Sequence, residues 1–157
     1  MSNTPVITRS GEGALLDILG TRTRFLCSAE QTDNAWSLME VTLPKHSGAP
    51  PHAHPWGEAY YVVAGEVGFL VDGKPQRLAA GDFLFAPANT EHAFEGLSEE
   101  PARVVIFDAP AHAGGFFREV DQHVKAMPDD LGKMLEIGER HGVRFSPPAD
   151  AQGAQRP

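Results

Sequence analysis

The sequence predicts an all-β barrel or sandwich followed by one or two C-terminal helices. Three observations carry that prediction. Short runs rich in β-branched and aromatic residues recur through the first two-thirds, Gly, Pro and an Asp-Gly dipeptide punctuate them, and helical spacing enters only after Pro110. A chain of 157 residues is about one domain's length and can enclose one sizeable core.

Residues 14–19, 21–28 and 35–43 read as the opening strands, the last with a period-two face of Ser37, Met39, Val41 and Leu43. Cys27, the single cysteine, excludes an internal disulfide and reads as a small buried hydrophobe without a catalytic role. Pro50, Pro51 and Pro55 remove backbone donors and push their predecessors toward extended conformations, which disfavours a helix there. Residues 58–64 and 67–71 form a hairpin about Gly65-Glu66, with Glu66 solvated, and Asp72-Gly73 makes the next turn. Residues 76–79, 82–86, 92–95 and 103–108 complete the strands. Residues 114–125 form one short helix and 129–141 another, with Leu131, Met134, Leu135 and Gly138 at helical spacing. Asp129 and Asp130 stand at the start of the second helix, Arg140 and His141 in its last turn, and Gly142 just beyond. Its apolar stripe is expected to pack on the barrel and to carry no chemistry. The expected organisation is a barrel over residues 1–110, a helical extension over 111–146 and a disordered polar tail over 147–157.

A formal charge of −8 offers no clustered Lys and Arg for nucleic acid or an anionic membrane. No apolar run is long enough to span a bilayer and the N-terminus lacks an apolar signal core, so a cytoplasmic location is expected. The expected partner is a small molecule. Open barrels also leave edge strands that need covering, so a homodimer formed through the strands before Leu43 is the expected assembly.

Chemistry concentrates in His52, His54 and Glu58, answered by His92 forty residues after the first of them. In an extended chain His52 and His54 share a face, Glu58 keeps their parity, and His92 must come from a strand alongside. Three imidazoles and a carboxylate suit one divalent transition metal per chain, whether Fe, Mn, Ni, Cu or Zn, with positions left open for substrate. His46, His112, His123 and His141 have no such company and read as packing or solvated residues. Trp56, Tyr60 and Phe94 are the candidate pocket residues, the last two sharing parity with Glu58 and His92, whereas Phe69 reads as core.

These residues resemble the two motifs of the cupins, whose fold is a double-stranded β-helix, or jelly-roll, barrel. The first motif asks for a glycine, H-x-H, three or four residues, a glutamate, six residues and a glycine, which His52, His54, Glu58 and Gly65 fit. Gly81, Pro87 and His92 fit the second in register. Gly48 lies nearer His52 than usual, Asn89 replaces the second motif's inner glycine, and Gly96 stands where asparagine is common. None of these departures touches a ligand, and Asn89 can make the same turn because asparagine tolerates positive φ. Residues 110–119 and the later Arg140-His-Gly-Val segment also resemble small single-domain cupins labelled quercetin dioxygenase-like.

The resemblance implies metal-dependent oxygen chemistry on a chelated, electron-rich substrate, with Glu58 a ligand or, when displaced, a general base. The alternatives are a metal-dependent isomerase or lyase and a non-catalytic small-molecule sensor. Lys45, Lys74, Arg77 and Arg103 fall at expected strand ends and turns, which favours a neutral or aromatic substrate over a phosphorylated one.

Overall fold

Eleven strands, two α-helices and one short 3-10 helix (Ala29–Thr32) make up the described part of this computed structural model, residues 4–146. The strands are β1 (Leu15–Ile18), β2 (Thr21–Cys27), β3 (Ser37–Leu43), β4 (Gly48–Ala53), β5 (Gly57–Ala64) and β6 (Glu66–Val71). Then come β7 (Lys74–Ala79), β8 (Phe83–Ala86), β9 (His92–Gly96), β10 (Ala102–Ala109) and, after the helices α1 (Ala113–His123) and α2 (Leu131–His141), β11 (Arg144–Phe145). They form two antiparallel sheets, β1-β2-β3-β10-β5-β8 and β11-β4-β9-β6-β7, facing each other across one core. This is the predicted all-β jelly roll with C-terminal helices. No described helix is long and apolar enough to cross a membrane.

Alternation sets the core. The face of Ser37, Met39, Val41 and Leu43 points inward as predicted, and β10 matches it with Ala102, Val104, Ile106 and Asp108. Tyr60 and Val62 on β5 and Val67 and Phe69 on β6 complete the interior. The Asp72-Gly73 turn has positive φ at both residues, 47° and 72°, the backbone of a tight hairpin turn. Asn89 adopts φ 66°, as expected of an asparagine in a glycine's place.

Three local expectations are corrected. Cys27 is half-buried, because a register shift between Phe25 and Cys27 breaks the β2–β3 pairing and turns the thiol partly outward. On α2 the buried residues are Ile137 and Gly138, while Leu131 and Leu135 stay exposed. Gly138 fixes that face: a Cβ there would lie 2.8 Å from the Val143 carbonyl oxygen and 2.9 Å from the Phe145 ring. The third is β11, which no sequence pattern indicated and which pairs with β4 through Arg144–Ala53 and Phe145–His52. The expected tail, residues 147–157, lies outside the described residues.

The helices are tied down at their starts. Asp108, wholly buried at the end of β10, accepts hydrogen bonds from the backbone N–H of His112 and Ala113, each at 3.0 Å, and from the Ser37 hydroxyl. Asp130 accepts from the N–H groups of Lys125 at 2.7 Å and Ala126 at 3.2 Å, and Gly142 closes α2 in the left-handed conformation.

Candidate metal centre

His52 on β4 and His92 on β9 are direct cross-strand partners, with ring centroids 4.4 Å apart. His54 follows just past β4. The chain then bends at Pro55 and Trp56 rather than staying extended, so Glu58 arrives on β5, in the opposite sheet, and meets the imidazoles across the barrel. All four side chains are buried. The ligand nitrogens of the three histidines lie within 4.8 Å of one another, and Glu58 Oε2 is 3.2 Å from His54 Nε2 and 3.4 Å from His92 Nε2.

Every one of the three rings is anchored by its other nitrogen. His52 Nδ1 donates to the Pro50 carbonyl at 2.7 Å, His54 Nδ1 to that of Trp56 at 3.0 Å, and His92 Nδ1 to that of Thr90 at 2.9 Å. A carbonyl only accepts, so Nδ1 carries the proton and a neutral ring presents its Nε2 lone pair inward. In that tautomer the lone pairs face the Glu58 carboxylate, an arrangement that repels until a second proton, on Nε2, makes the contact a hydrogen bond or a metal cation stands between them. Burial, reinforced by the nearby His92, depresses the His52 pKa to about 4, so this ring stays neutral. Burial also works against a charged His92, but its hydrogen bonds to Glu58 and Thr90 outweigh that and raise its pKa. Burial opposes ionisation of Glu58 as well, yet hydrogen bonds to His54 and His92 hold its carboxyl well below the usual range. Three anchored borderline nitrogens around an ionised carboxylate fit a divalent transition metal.

The other predicted site residues divide between wall and support. Phe94 lines a cavity of about 90 Å³ with His52, Glu58 and Ile106. Tyr60 and Trp56 are not part of that lining. Tyr60, wholly buried, donates its hydroxyl to Glu58 Oε2, and the Trp56 indole reaches Glu58 Oε1 at 3.4 Å while stacking on His54 at 4.0 Å and 6°. Phe69 packs in the core against Tyr60. The sequence does not reveal the roof: Phe116 and Phe117 of α1, Met134 of α2 and Phe145 of β11 close the cavity over His52 and Glu58. The Phe116-Phe117 doublet was the available signal, since two adjacent aromatics widen the apolar face of a short helix enough to cover a cavity. No Lys or Arg lines the cavity.

With fold and centre in hand, comparison with known proteins is specific: the cupin domain profile matches residues 39–108, which carry all four site residues. The chain belongs to the cupin superfamily. It is similar to the quercetin 2,3-dioxygenase of Bacillus subtilis strain 168, 30% identical over 115 residues covering 73% of this chain and 34% of that one. It is also similar to the dimethylsulfoniopropionate lyase DddQ of Ruegeria pomeroyi, 43% identical over 54 residues, 34% of this chain and 27% of the lyase. It thus spans about a third of these relatives' lengths. Among solved structures, an RmlC-like cupin from Shewanella frigidimarina NCIMB 400 superimposes with a TM-score of 0.60 at 23% identity, over 71% of this chain and 96% of that one.

Proposed function

We propose that this cupin is a metal-dependent, dioxygenase-type oxidoreductase acting on a small neutral or aromatic molecule that chelates the metal through oxygen. The observation that carries the reading is the set of three Nδ1-anchored imidazoles converging with Glu58, of which His52 and Glu58 line an apolar chamber. His52, His54 and His92 would hold the ion through Nε2, with Glu58 as fourth ligand. A divalent transition metal held there supplies Lewis acidity and open positions and, where redox-active, electron transfer to dioxygen.

The chain's own groups supply the rest. Glu58 is placed to accept a proton from a substrate hydroxyl or enol, and Tyr60 and Trp56 restrain its carboxylate. Phe94, Phe116, Phe117 and Phe145 offer aromatic surface to a planar substrate, and the helical roof excludes water. The lack of Lys and Arg in the lining disfavours a phosphorylated substrate. The similarity to quercetin 2,3-dioxygenase supports the oxygen-dependent version. The denser local identity to the lyase favours a second reading, in which Glu58 abstracts a proton and no oxygen is consumed.

The test is elemental analysis of chelator-free protein beside His92→Ala, then turnover of phenols and 1,3-dicarbonyls with and without oxygen. About one transition metal per chain, lost in the variant, with oxygen uptake is the expected result. Full metal retention by His92→Ala would refute the site, anaerobic turnover would favour the lyase, and tight binding without turnover a sensor.

A further inference from the structure

We propose that the outer face of the six-stranded sheet, centred on β5 and β8, is the surface through which two copies of this chain form a two-fold symmetric dimer. Strand register builds this face as two rows. Phe83, Tyr61 and Val105 are consecutive cross-strand partners, as are Phe85, Ala59 and Phe107. Phe83 is 63% exposed, Phe85 56% and Tyr61 47%. Trp36 extends the second row by stacking on Phe107 at 5.8 Å.

The sequence pattern of these strands is that of a sheet covered on both faces. A strand with one solvated face alternates apolar and polar residues, whereas one covered on both reads as a continuous apolar run. Phe83-Leu84-Phe85-Ala86 and Tyr60-Tyr61-Val62-Val63 are continuous runs. Their inner residues pack in the core, and within the described chain nothing covers their outer ones. With about 200 Å² for a whole aromatic side chain, the exposed fractions of the six large apolar residues Trp36, Tyr61, Val63, Phe83, Phe85 and Phe107 leave on the order of 500 Å² of apolar surface in water. That is at the upper end for a monomer's largest patch, and it would supply the apolar part of an interface burying about 800 Å² per partner.

Charge selects a second copy as the occupant. A chain of formal charge −8 repels its own kind except where the contact zone is neutral. Continuing the two rows onto β3 adds Leu38 and Glu40, and Glu40 is paired with Arg103 at 2.9 Å. Arg22 and Arg24 of β2 and Arg103 of β10 stand beside Glu40 and Thr42 at the far margin of the face, so the rows from β8 to β10 carry no cation of their own to draw them to an anionic membrane. The N-terminal edge, where the sequence led us to expect dimer contacts, is occupied within the chain: α1 packs against β1, and Asp121 accepts the Asp17 backbone N–H at 3.0 Å.

The test is sedimentation velocity from low micromolar to several hundred micromolar on wild type, Phe85→Glu and Leu15→Glu, with circular dichroism to verify folding. Wild type is expected at twice the 16.9 kDa chain mass, Leu15→Glu the same, and Phe85→Glu with dimer association weakened at least a hundredfold. Wild type that stays monomeric, a dimer that survives Phe85→Glu, or one lost in Leu15→Glu alone would overturn the proposal. Should Phe85→Glu unfold, amide exchange of wild type decides: protection of β5 and β8 must rise with protein concentration, and a concentration-independent pattern refutes the interface.

Discussion

Replacing Asp108 separates the cost of a buried charge from the value of the contacts it makes. The carboxylate is wholly buried and takes three donors: the Ser37 hydroxyl on Oδ1, and the His112 and Ala113 N–H groups on Oδ2. Burial raises its pKa; those hydrogen bonds pull the other way, Glu58 adds to the rise, and the net shift is upward. Asp108→Asn can keep the geometry by turning its oxygen toward the two N–H groups while its amide donates to Ser37, whose hydroxyl also accepts. The loss should be about 1 kcal/mol or less. Asp108→Ala leaves the buried Ala113 N–H and the Ser37 hydroxyl without an acceptor, each worth about 1–3 kcal/mol, so about 2–6 kcal/mol in all is expected. Urea unfolding followed by circular dichroism measures both, and faster amide exchange in the first turn of α1 should accompany the alanine variant. A folded-state pKa above the usual aspartate value means the folded chain binds the proton more tightly. Wild type should therefore gain stability relative to Asp108→Asn as pH falls from the raised pKa through the usual one. An asparagine variant as damaged as the alanine would refute this reasoning, because charge and not contact geometry would then be what matters.

Phe117→Ala should enlarge the chamber at a cost of about 1–3 kcal/mol, below that of a fully buried phenylalanine, leaving metal content unchanged and shifting ligand preference to bulkier compounds. Gly138→Ala should lose about 1–3 kcal/mol, since its Cβ would meet the Val143 carbonyl oxygen at 2.8 Å, whereas Gly132→Ala meets nothing and should gain up to about 1 kcal/mol in thermal or urea unfolding. Lys133, with the N–H groups of Lys125 and Ala126, lowers the Asp130 pKa to about 2. Its stabilising contribution is thus present above the usual aspartate pKa and lost as pH falls through about 2, and the Lys125 and Ala126 amide resonances should titrate there rather than near the usual value.

What the sequence revealed was local. Period-two runs, the Asp72-Gly73 turn, the left-handed Asn89 and the Gly142 helix stop each depend on a few neighbouring residues, and each is legible for that reason. β4 carries Pro50 and Pro51 and shows no clean alternation, and β11 has two residues, so neither announces itself. The inward face of α2 depends on a close approach to Val143 and Phe145 that only the folded chain defines. The same limit explains the site. His52 and His92 were expected on neighbouring strands because their shared chemistry demanded it, whereas the route of Glu58 to them, around the bend at Pro55 and Trp56, and the roof of Phe116, Phe117, Met134 and Phe145 are products of tertiary closure.

Charge accounting links the donor set to the composition of the walls. Three neutral imidazoles and one carboxylate bear a single negative charge, so a divalent ion among them leaves one positive charge beneath aliphatic and aromatic walls. Those walls screen it weakly, which favours a substrate that arrives with one negative oxygen or surrenders one proton to Glu58. Any lining cation would add to that positive charge and compete for the same oxygen. Three of the barrel's cations are instead paired outside, Lys45 to Glu99, Arg77 to Glu66 and Arg103 to Glu40. A pocket without Lys or Arg is therefore what a centre needs if its own charge is to choose the ligand.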